Sequence, residues 1–260
     1  MIDYKEKARE ARLKVLEMIH KSNASHVASN FSVLDTATVL YENLKAGDAV
    51  VWSKGWAAAS IYYFLAKQGT IPKEDLELFA KEIDGKVKYL GLAETNVPGV
   101  LVNGGSMGHG LPIASGMALA KKLKGDKSRV YCIMSDGEMN EGTTWESAMF
   151  AAHNKLDNLT VIVDKNKWQA MGKTEEVLNV DLVKAWRGFG FNVYDIDGHN
   201  FEQIEKSILD AEKHQNEPSV IVANTIKGKG VSFFEDHLLY HYKFVDEEEY
   251  KRAQKELLKN

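Results

Sequence analysis

The sequence lacks the features that mark several protein classes. It has one cysteine, Cys132, so no internal disulfide can staple it. Four prolines in 260 residues, with no low-complexity stretch, leave nothing that reads as a linker between domains. A large charge of one sign is missing too: 33 Lys and Arg stand against 37 Asp and Glu, a net charge of −4, which argues against a polyanion-binding field and a nucleic-acid partner. No apolar run nears the ~20 residues of a membrane span. The longest comparable stretch, 57–66, is shorter and includes Ser60, Tyr62 and Tyr63. The first residues, Met1-Ile2-Asp3-Tyr4-Lys5-Glu6, are charged from the start and carry no apolar signal core. These absences predict a cytoplasmic protein with neither membrane nor nucleic acid as partner.

What is present suits a packed core, with 44% hydrophobic and 27% charged residues. Ala8, Ala11, Val15, Met18 and Ile19 recur near a 3.6-residue spacing and predict a first helix that runs out at Ser22-Asn23. Ser32 followed by Asp35 reads as the cap of a second helix, with Gly47 beyond its end. From Asp48 onward, apolar runs at 49–52, 130–134, 159–163, 191–194 and 220–223 alternate with helical stretches at 56–67, 110–123, 144–155, 182–189 and 201–214. Nearly continuous apolar strands separated by helices imply a parallel sheet covered on both faces. The expected fold is therefore α/β, a doubly wound, mostly parallel sheet, in a single domain spanning 1–260. The charged end, 246–259, predicts a terminal surface helix.

Ligands of open α/β sheets bind beyond the carboxyl ends of the strands. The second run ends in Ser135-Asp136-Gly137-Glu138 and the third in Asp164-Lys165-Asn166-Lys167-Trp168, so parallel pairing would set these two loops side by side. Asp136 and Asn166 lie one strand–helix–strand unit apart, which can bring a carboxylate and an amide oxygen together. Such hard oxygen donors suit Mg²⁺ or Ca²⁺, and Mg²⁺ completes its octahedron with waters and phosphate oxygens. The same residues also read as an Asp-Gly turn with Asp136 or Asn140 capping a helix. The segment Asn103-Gly104-Gly105-Ser106-Met107-Gly108-His109-Gly110 opens a helix and would let backbone N–H groups approach an anion. A glycine-rich turn built for packing has the same composition. The segment fits neither GxGxxG nor the Walker pattern, which argues against a nicotinamide dehydrogenase.

These elements resemble the thiamine diphosphate-binding half of transketolase. The family's metal motif is a Gly-Asp-Gly with an Asn about thirty residues on, and Ser135-Asp136-Gly137 and Asn166 occupy those places. Further similar segments follow in order: Ser53-Lys54-Gly55, Pro98-Gly99-Val100, Gly105 to Gly110, Glu141-Gly142-Thr143-Thr144-Trp145-Glu146, 151–159, Asp195-Ile196-Asp197-Gly198-His199 and Lys227-Gly228-Lys229-Gly230. The resemblance covers roughly 8–243. It implies thiamine diphosphate and Mg²⁺ as cofactors, with Ca²⁺ or Mn²⁺ as substitutes. Asp136 and Asn166 would ligate the metal through side chains and Trp168 through its carbonyl. Gly137 would let the diphosphate approach, Gly105 and Met107 would offer backbone contacts near the aminopyrimidine, and Glu141 matches a glutamate at the subunit contact. His26 and His241 stand where the family places cavity histidines that handle substrate protons.

The resemblance also implies a partner. Complete transketolases add a pyrimidine-binding and a C-terminal domain, so the chain resembles the N-terminal subunit of a split transketolase, inactive alone and assembled as an α2β2 heterotetramer. It departs from the family at several points: Trp56 replaces the His after Ser-Lys-Gly that reaches the diphosphate and substrate, and Gly91-Leu92-Ala93 replaces a Gly-His-Pro. Ala170 is all that stands for the apolar residue that packs on the thiazolium. The resemblance implies two-carbon ketol transfer between ketose and aldose sugars or sugar phosphates, and because most departures fall toward the substrate side and add apolar surface, the expected sugar is of an atypical kind: modified, branched, deoxy or nucleotide-linked. Other readings are a component like deoxyxylulose-phosphate synthase, a dehydrogenase first component, or a cofactor-binding subunit without catalysis.

Overall fold

The computed structural model describes residues 2–259, which run in order through α1 (Tyr4–Ser22), α2 (Val27–Asn43), β1 (Ala49–Trp52), α3 (Ala58–Lys67), β2 (Glu82–Ile83), β3 (Lys86–Val87), α4 (Gly110–Leu123), β4 (Val130–Ser135), α5 (Gly142–His153), β5 (Leu159–Lys165), α6 (Thr174–Val177), α7 (Leu182–Gly188), β6 (Asn192–Asp197), α8 (Phe201–Lys213), β7 (Ser219–Asn224) and α9 (Glu247–Leu257). The chain divides into two compact units. One takes residues up to 38, 55–105 and those from 226 on; the other takes 39–54 with 106–225.

The second unit holds a five-stranded sheet in the order β1-β4-β5-β7-β6, parallel throughout. All five apolar runs of the sequence form its strands. In β4 every residue from Val130 to Met134 is buried, as is every residue of β5 from Leu159 to Asp164. Burial of consecutive side chains means that both sheet faces are covered. β7 inserts between β5 and β6, so the later run is interior and fully buried while β6 is a half-exposed edge ending in Asp195 and Asp197. Helix α4 packs on β1, β4 and β5, and α7 and α8 pack on β6 and β7. Burial pushes the Cys132 thiol, inside β4, well above its usual range, which leaves it a small core side chain rather than a nucleophile.

The first unit is built on α1, the first part of α2, α3 and α9. Asp3 caps α1 by accepting the Glu6 N–H at 3.0 Å, and Asn23 ends it in the left-handed region at φ 50°. The second helix corrects the sequence reading: it begins at Val27, and Ser32 lies inside it, fully buried. Ser32 Oγ returns a hydrogen bond to the Ser29 carbonyl at 3.3 Å. Asp35 is not part of a capping box but the buried partner of Arg12. A short antiparallel pair, β2 with β3, had no alternating apolar pattern to announce it. The terminal helix α9 starts with a capping box between Asp246 and Glu249.

Arg12 organises this unit. Its guanidinium donates to both Asp35 oxygens, at 2.7 and 2.8 Å, and its Nε donates to the Lys229 carbonyl at 2.9 Å. One side chain thus ties α1 to α2 and to the loop before α9. Removing one partner of a buried pair strands the other charge and costs about 3–5 kcal/mol. Arg12→Met should lower the unfolding free energy by that amount in urea titrations, and the double variant Arg12→Met/Asp35→Leu should recover a measurable part. Strictly additive losses would show that the pair is not coupled.

Candidate functional site

The chemistry-bearing loops of the second unit sit at the carboxyl ends of β4 and β5, where Ser135 pairs in register with Asp164. Asp136 follows β4 directly and opens a 3₁₀ turn over Asp136–Asn140. Its Oδ1 accepts the Gly137 N–H at 3.0 Å and its Oδ2 accepts the Lys167 N–H at 2.6 Å. The loop after β5 is thereby fastened to the loop after β4. Asn166 Oδ1 accepts the Trp168 N–H at 3.0 Å, while its Nδ2 donates to Asp164 Oδ2 at 3.1 Å. The turn closes through Gln169 N–H to the Gly172 carbonyl at 2.8 Å, and the Lys173 ammonium lies 5.5 Å from the Trp168 ring centre.

Asp164 is the residue that sequence reasoning missed. It is 1% exposed and accepts from three side chains: the Lys54 ammonium, the Thr225 hydroxyl and the Asn166 amide. Lys54 follows β1, Thr225 follows β7 and Asp164 lies in β5. By engaging Nδ2, the carboxylate fixes which way the Asn166 amide points and turns its oxygen toward the side of Trp168. A signal for it exists in the sequence, since Lys54 belongs to the Ser53-Lys54-Gly55 motif and Asp164 is a charge at the end of an apolar run.

Burial, and then the nearby Asp164 carboxylate, push the Asp136 carboxyl up to about 7. The Lys167 and Gly137 N–H groups and the Lys54 charge oppose this. A cation is what would favour the ionised form. Among the described residues no cluster of three or more His, Cys, Asp or Glu side chains is placed to hold a metal. The donors at this edge are instead one carboxylate, one amide oxygen and backbone carbonyls, a sparse hard set that fits a cation drawing further oxygens from a phosphate and water. A second observation fits the same ligand: the Gln169 side-chain nitrogen is buried without a hydrogen-bond partner, and its Cγ is 3.0 Å from where a Cβ on Gly137 would lie. A buried donor left unpaired costs free energy until an acceptor arrives. A cleft of about 370 Å³ opens beside Asp136, edged by Lys165, Lys167 and Asp181.

Other assigned residues of this unit differ in burial. Met107 is 40% exposed and Ala170 is exposed. Glu141 stands at the N-cap position of α5. Glu138, buried next to Gly137, accepts from Ser53 Oγ and from the Gly108 N–H, the latter at 2.7 Å, and ties the glycine-rich segment to the loop after β1. Burial raises its carboxyl above the usual range.

The remaining assigned residues belong to the first unit. Gly105 has φ 96°, and a Cβ there would sit 2.6 Å from Leu92 Cδ2, so only glycine fits. His26 has φ 70°, uncommon for a residue with a Cβ, and lies just ahead of α2. Its ring stacks on Trp56, centroids 4.4 Å apart at 10°, and lies 4.7 Å from the His241 ring at 60°. Ser25 Oγ is 2.6 Å from His26 Nδ1. The structure thus gathers Asp136, Gly137, Asn166 and Trp168 at one sheet edge, and His26, Trp56 and His241 into one aromatic cluster. It also adds Lys227, whose Nζ is 2.7 Å from His241 Nδ1.

The fold and the loops gathered at the carboxyl ends of β4 and β5 define a class of open parallel α/β domain that takes its ligand beyond those strand ends. The family described as transketolase, thiamine diphosphate binding domain, matches residues 4–259, and the chain belongs to it. It is 35% identical to one subunit of the apulose-4-phosphate transketolase of Actinobacillus succinogenes, over 98% of this chain and 96% of that one. It is 36% identical to a 6-deoxy-6-sulfo-D-fructose transketolase subunit of a Clostridium species, over 99% and 97%. Among solved structures, the transketolase of Campylobacter jejuni superposes with a TM-score of 0.91 at 29% identity, covering 99% of this chain and 43% of that one. The chain therefore spans less than half of that solved transketolase.

Asp164→Asn should leave Lys54 buried without its counter-charge and lower the unfolding free energy by about 3–5 kcal/mol, read by chemical denaturation. A loss under about 1 kcal/mol would show that the carboxylate does not hold the strand ends. Asp136→Asn should keep the circular dichroism spectrum while weakening divalent-cation binding about tenfold or more in calorimetric titration. Unchanged cation affinity would remove Asp136 from the site.

Proposed function

We propose that this chain is the N-terminal subunit of a split transketolase, a single thiamine diphosphate-binding domain over 1–260 that transfers a two-carbon ketol unit from a ketose to an aldose only when joined to a C-terminal partner. The observation that carries the reading is the match over nearly full length to proteins that are themselves transketolase subunits. The unbroken family match over 4–259 supports the single domain. Asp136, Asn166 and the Trp168 carbonyl would hold Mg²⁺, with Ca²⁺ or Mn²⁺ as substitutes, and Gly137 and Gln169 would meet the diphosphate. Gly105 and Met107 would offer backbone to the aminopyrimidine. The bound cofactor supplies an electron sink for the carbon–carbon bond that is broken. His26 and His241 give the imidazoles needed for proton and hydrogen-bond work at the carbon–carbon bond steps.

A partner is supported by the apolar residues left open on α4 and α5: Ile113, Leu123, Met149 and Phe150 are 39%, 78%, 53% and 43% exposed. Glu141, at the start of α5, would belong to that contact, and an α2β2 heterotetramer in the cytoplasm is the assembly we favour. An atypical sugar is supported by Trp56, 43% exposed on its histidine, and by Leu92 where the family has histidine. Two relatives named for apulose-4-phosphate and one for 6-deoxy-6-sulfo-D-fructose point the same way.

Copurified with a C-terminal transketolase partner and given thiamine diphosphate and Mg²⁺, the pair should show ketol transfer with branched, deoxy or sulfonated sugars that exceeds turnover of xylulose and ribose phosphates about tenfold or more. Product analysis by mass spectrometry reads the outcome. Equal rates on the ordinary sugar phosphates would remove the atypical substrate, and a pair that binds no thiamine diphosphate would remove the function.

A further inference from the structure

Lys227 is 1% exposed, yet its Nζ reaches His241 Nδ1 at 2.7 Å. Its backbone is held on both sides. The Gly228 N–H donates to the Ala28 carbonyl at 3.0 Å, and the Asp236 N–H donates to the Lys227 carbonyl at 2.9 Å. The lysine head is therefore placed by the fold rather than by a surface side chain's choice of rotamer.

Two nitrogens 2.7 Å apart share one proton. An aliphatic amine is ordinarily the stronger base of the two, and burial disfavours the charged form of either group, so the proton between them is assigned to Lys227 as part of the inference that follows. An ammonium has no lone pair and can only donate. His241 Nδ1 is then the acceptor, and a neutral imidazole with Nδ1 bare carries its hydrogen on Nε2. Protonating Nδ1 would break this hydrogen bond and set a second cation beside a buried ammonium. His26 has a different neighbour. The Ser25 hydroxyl at its Nδ1 can donate or accept, so it tolerates both protonation states of that nitrogen.

We infer that Lys227 is a positioning residue that locks His241 in the Nε2–H form, making it a fixed hydrogen-bond donor to a substrate or cofactor oxygen and leaving proton transfer to His26. This deepens the transketolase reading of the site and rests on it for the word substrate. The tautomer itself can be read in the chain alone.

The test uses the full chain labelled with ¹⁵N-histidine and two-bond ¹H–¹⁵N correlation spectra, with His241→Gln to assign the resonance. The expected result is a single Nε2–H tautomer for His241 in the unmodified protein and a mixture of tautomers in Lys227→Met. A proton on Nδ1 in the unmodified protein overturns the inference, even if Lys227→Met does not fold. So does a His241 signal that Lys227→Met leaves unchanged. In the reconstituted pair Lys227→Met should lower kcat/KM about tenfold or more, with Lys227→Arg, which keeps a charged donor, recovering part of the loss. No recovery by arginine together with an unchanged tautomer overturns the positioning role. A pair with no ketol transfer at all, but with the Nε2–H tautomer in place, overturns the functional reading and not this one.

Discussion

The carboxylate of Asp164 sets the geometry on which the sheet edge depends. It lies in the middle strand of the parallel sheet and receives a lysine from the end of β1, a hydroxyl from the end of β7 and the amide of Asn166 from the loop it precedes. A buried carboxylate with three donors is tolerable only when all are in place. Sheet closure and amide orientation are therefore one requirement. The apolar runs bring the strands together, and this polar contact decides how their ends meet.

From that constraint the character of the site follows. Asp136 is buried beside Asp164, and burial together with that neighbouring carboxylate raises the cost of ionising Asp136, which backbone N–H groups and Lys54 only partly offset. The Gln169 amide adds a buried donor without an acceptor. One edge therefore holds both a carboxyl short of positive charge and a donor short of negative charge. A cation bound to an anionic oxygen ligand would answer both needs, which is why the proposed function places a metal and a diphosphate there.

How much of this was legible in the sequence depended on whether the information was local. The adjacency of Asp136 and Asn166 was legible, because two apolar runs joined by one helix must pair in parallel. Helices α3, α4, α5, α7 and α8 were legible in the stretches between the apolar runs, whereas the short α6 was not. Ser32 misleads because a serine three residues before an acid looks alike inside a buried helix and at its start; what distinguishes them is Arg12, about twenty positions away in sequence. Asp164 and Lys227 lie in segments that stand out in the sequence but carry no visible role there, since each is defined by a partner elsewhere along the chain. The insertion of β7 between β5 and β6 was equally hidden, although the weaker apolar character of β6 fits an edge.

Lys227 also shows how a stability feature becomes a chemical one. The loop that carries it is anchored to α1 through the Arg12 Nε bond to the Lys229 carbonyl, and to α2 through the Gly228 bond to Ala28. Arg12 is in turn held by Asp35 of α2. His26 lies at the start of α2, so the ion pair of the first unit fixes the helix that presents one histidine and the loop whose lysine orients the other. The two imidazoles differ because the groups behind them differ: a hydroxyl that can reverse its hydrogen bond and an ammonium that cannot. In the function proposed above, with histidine absent at Trp56 and Leu92, that asymmetry would separate a proton carrier from a fixed donor.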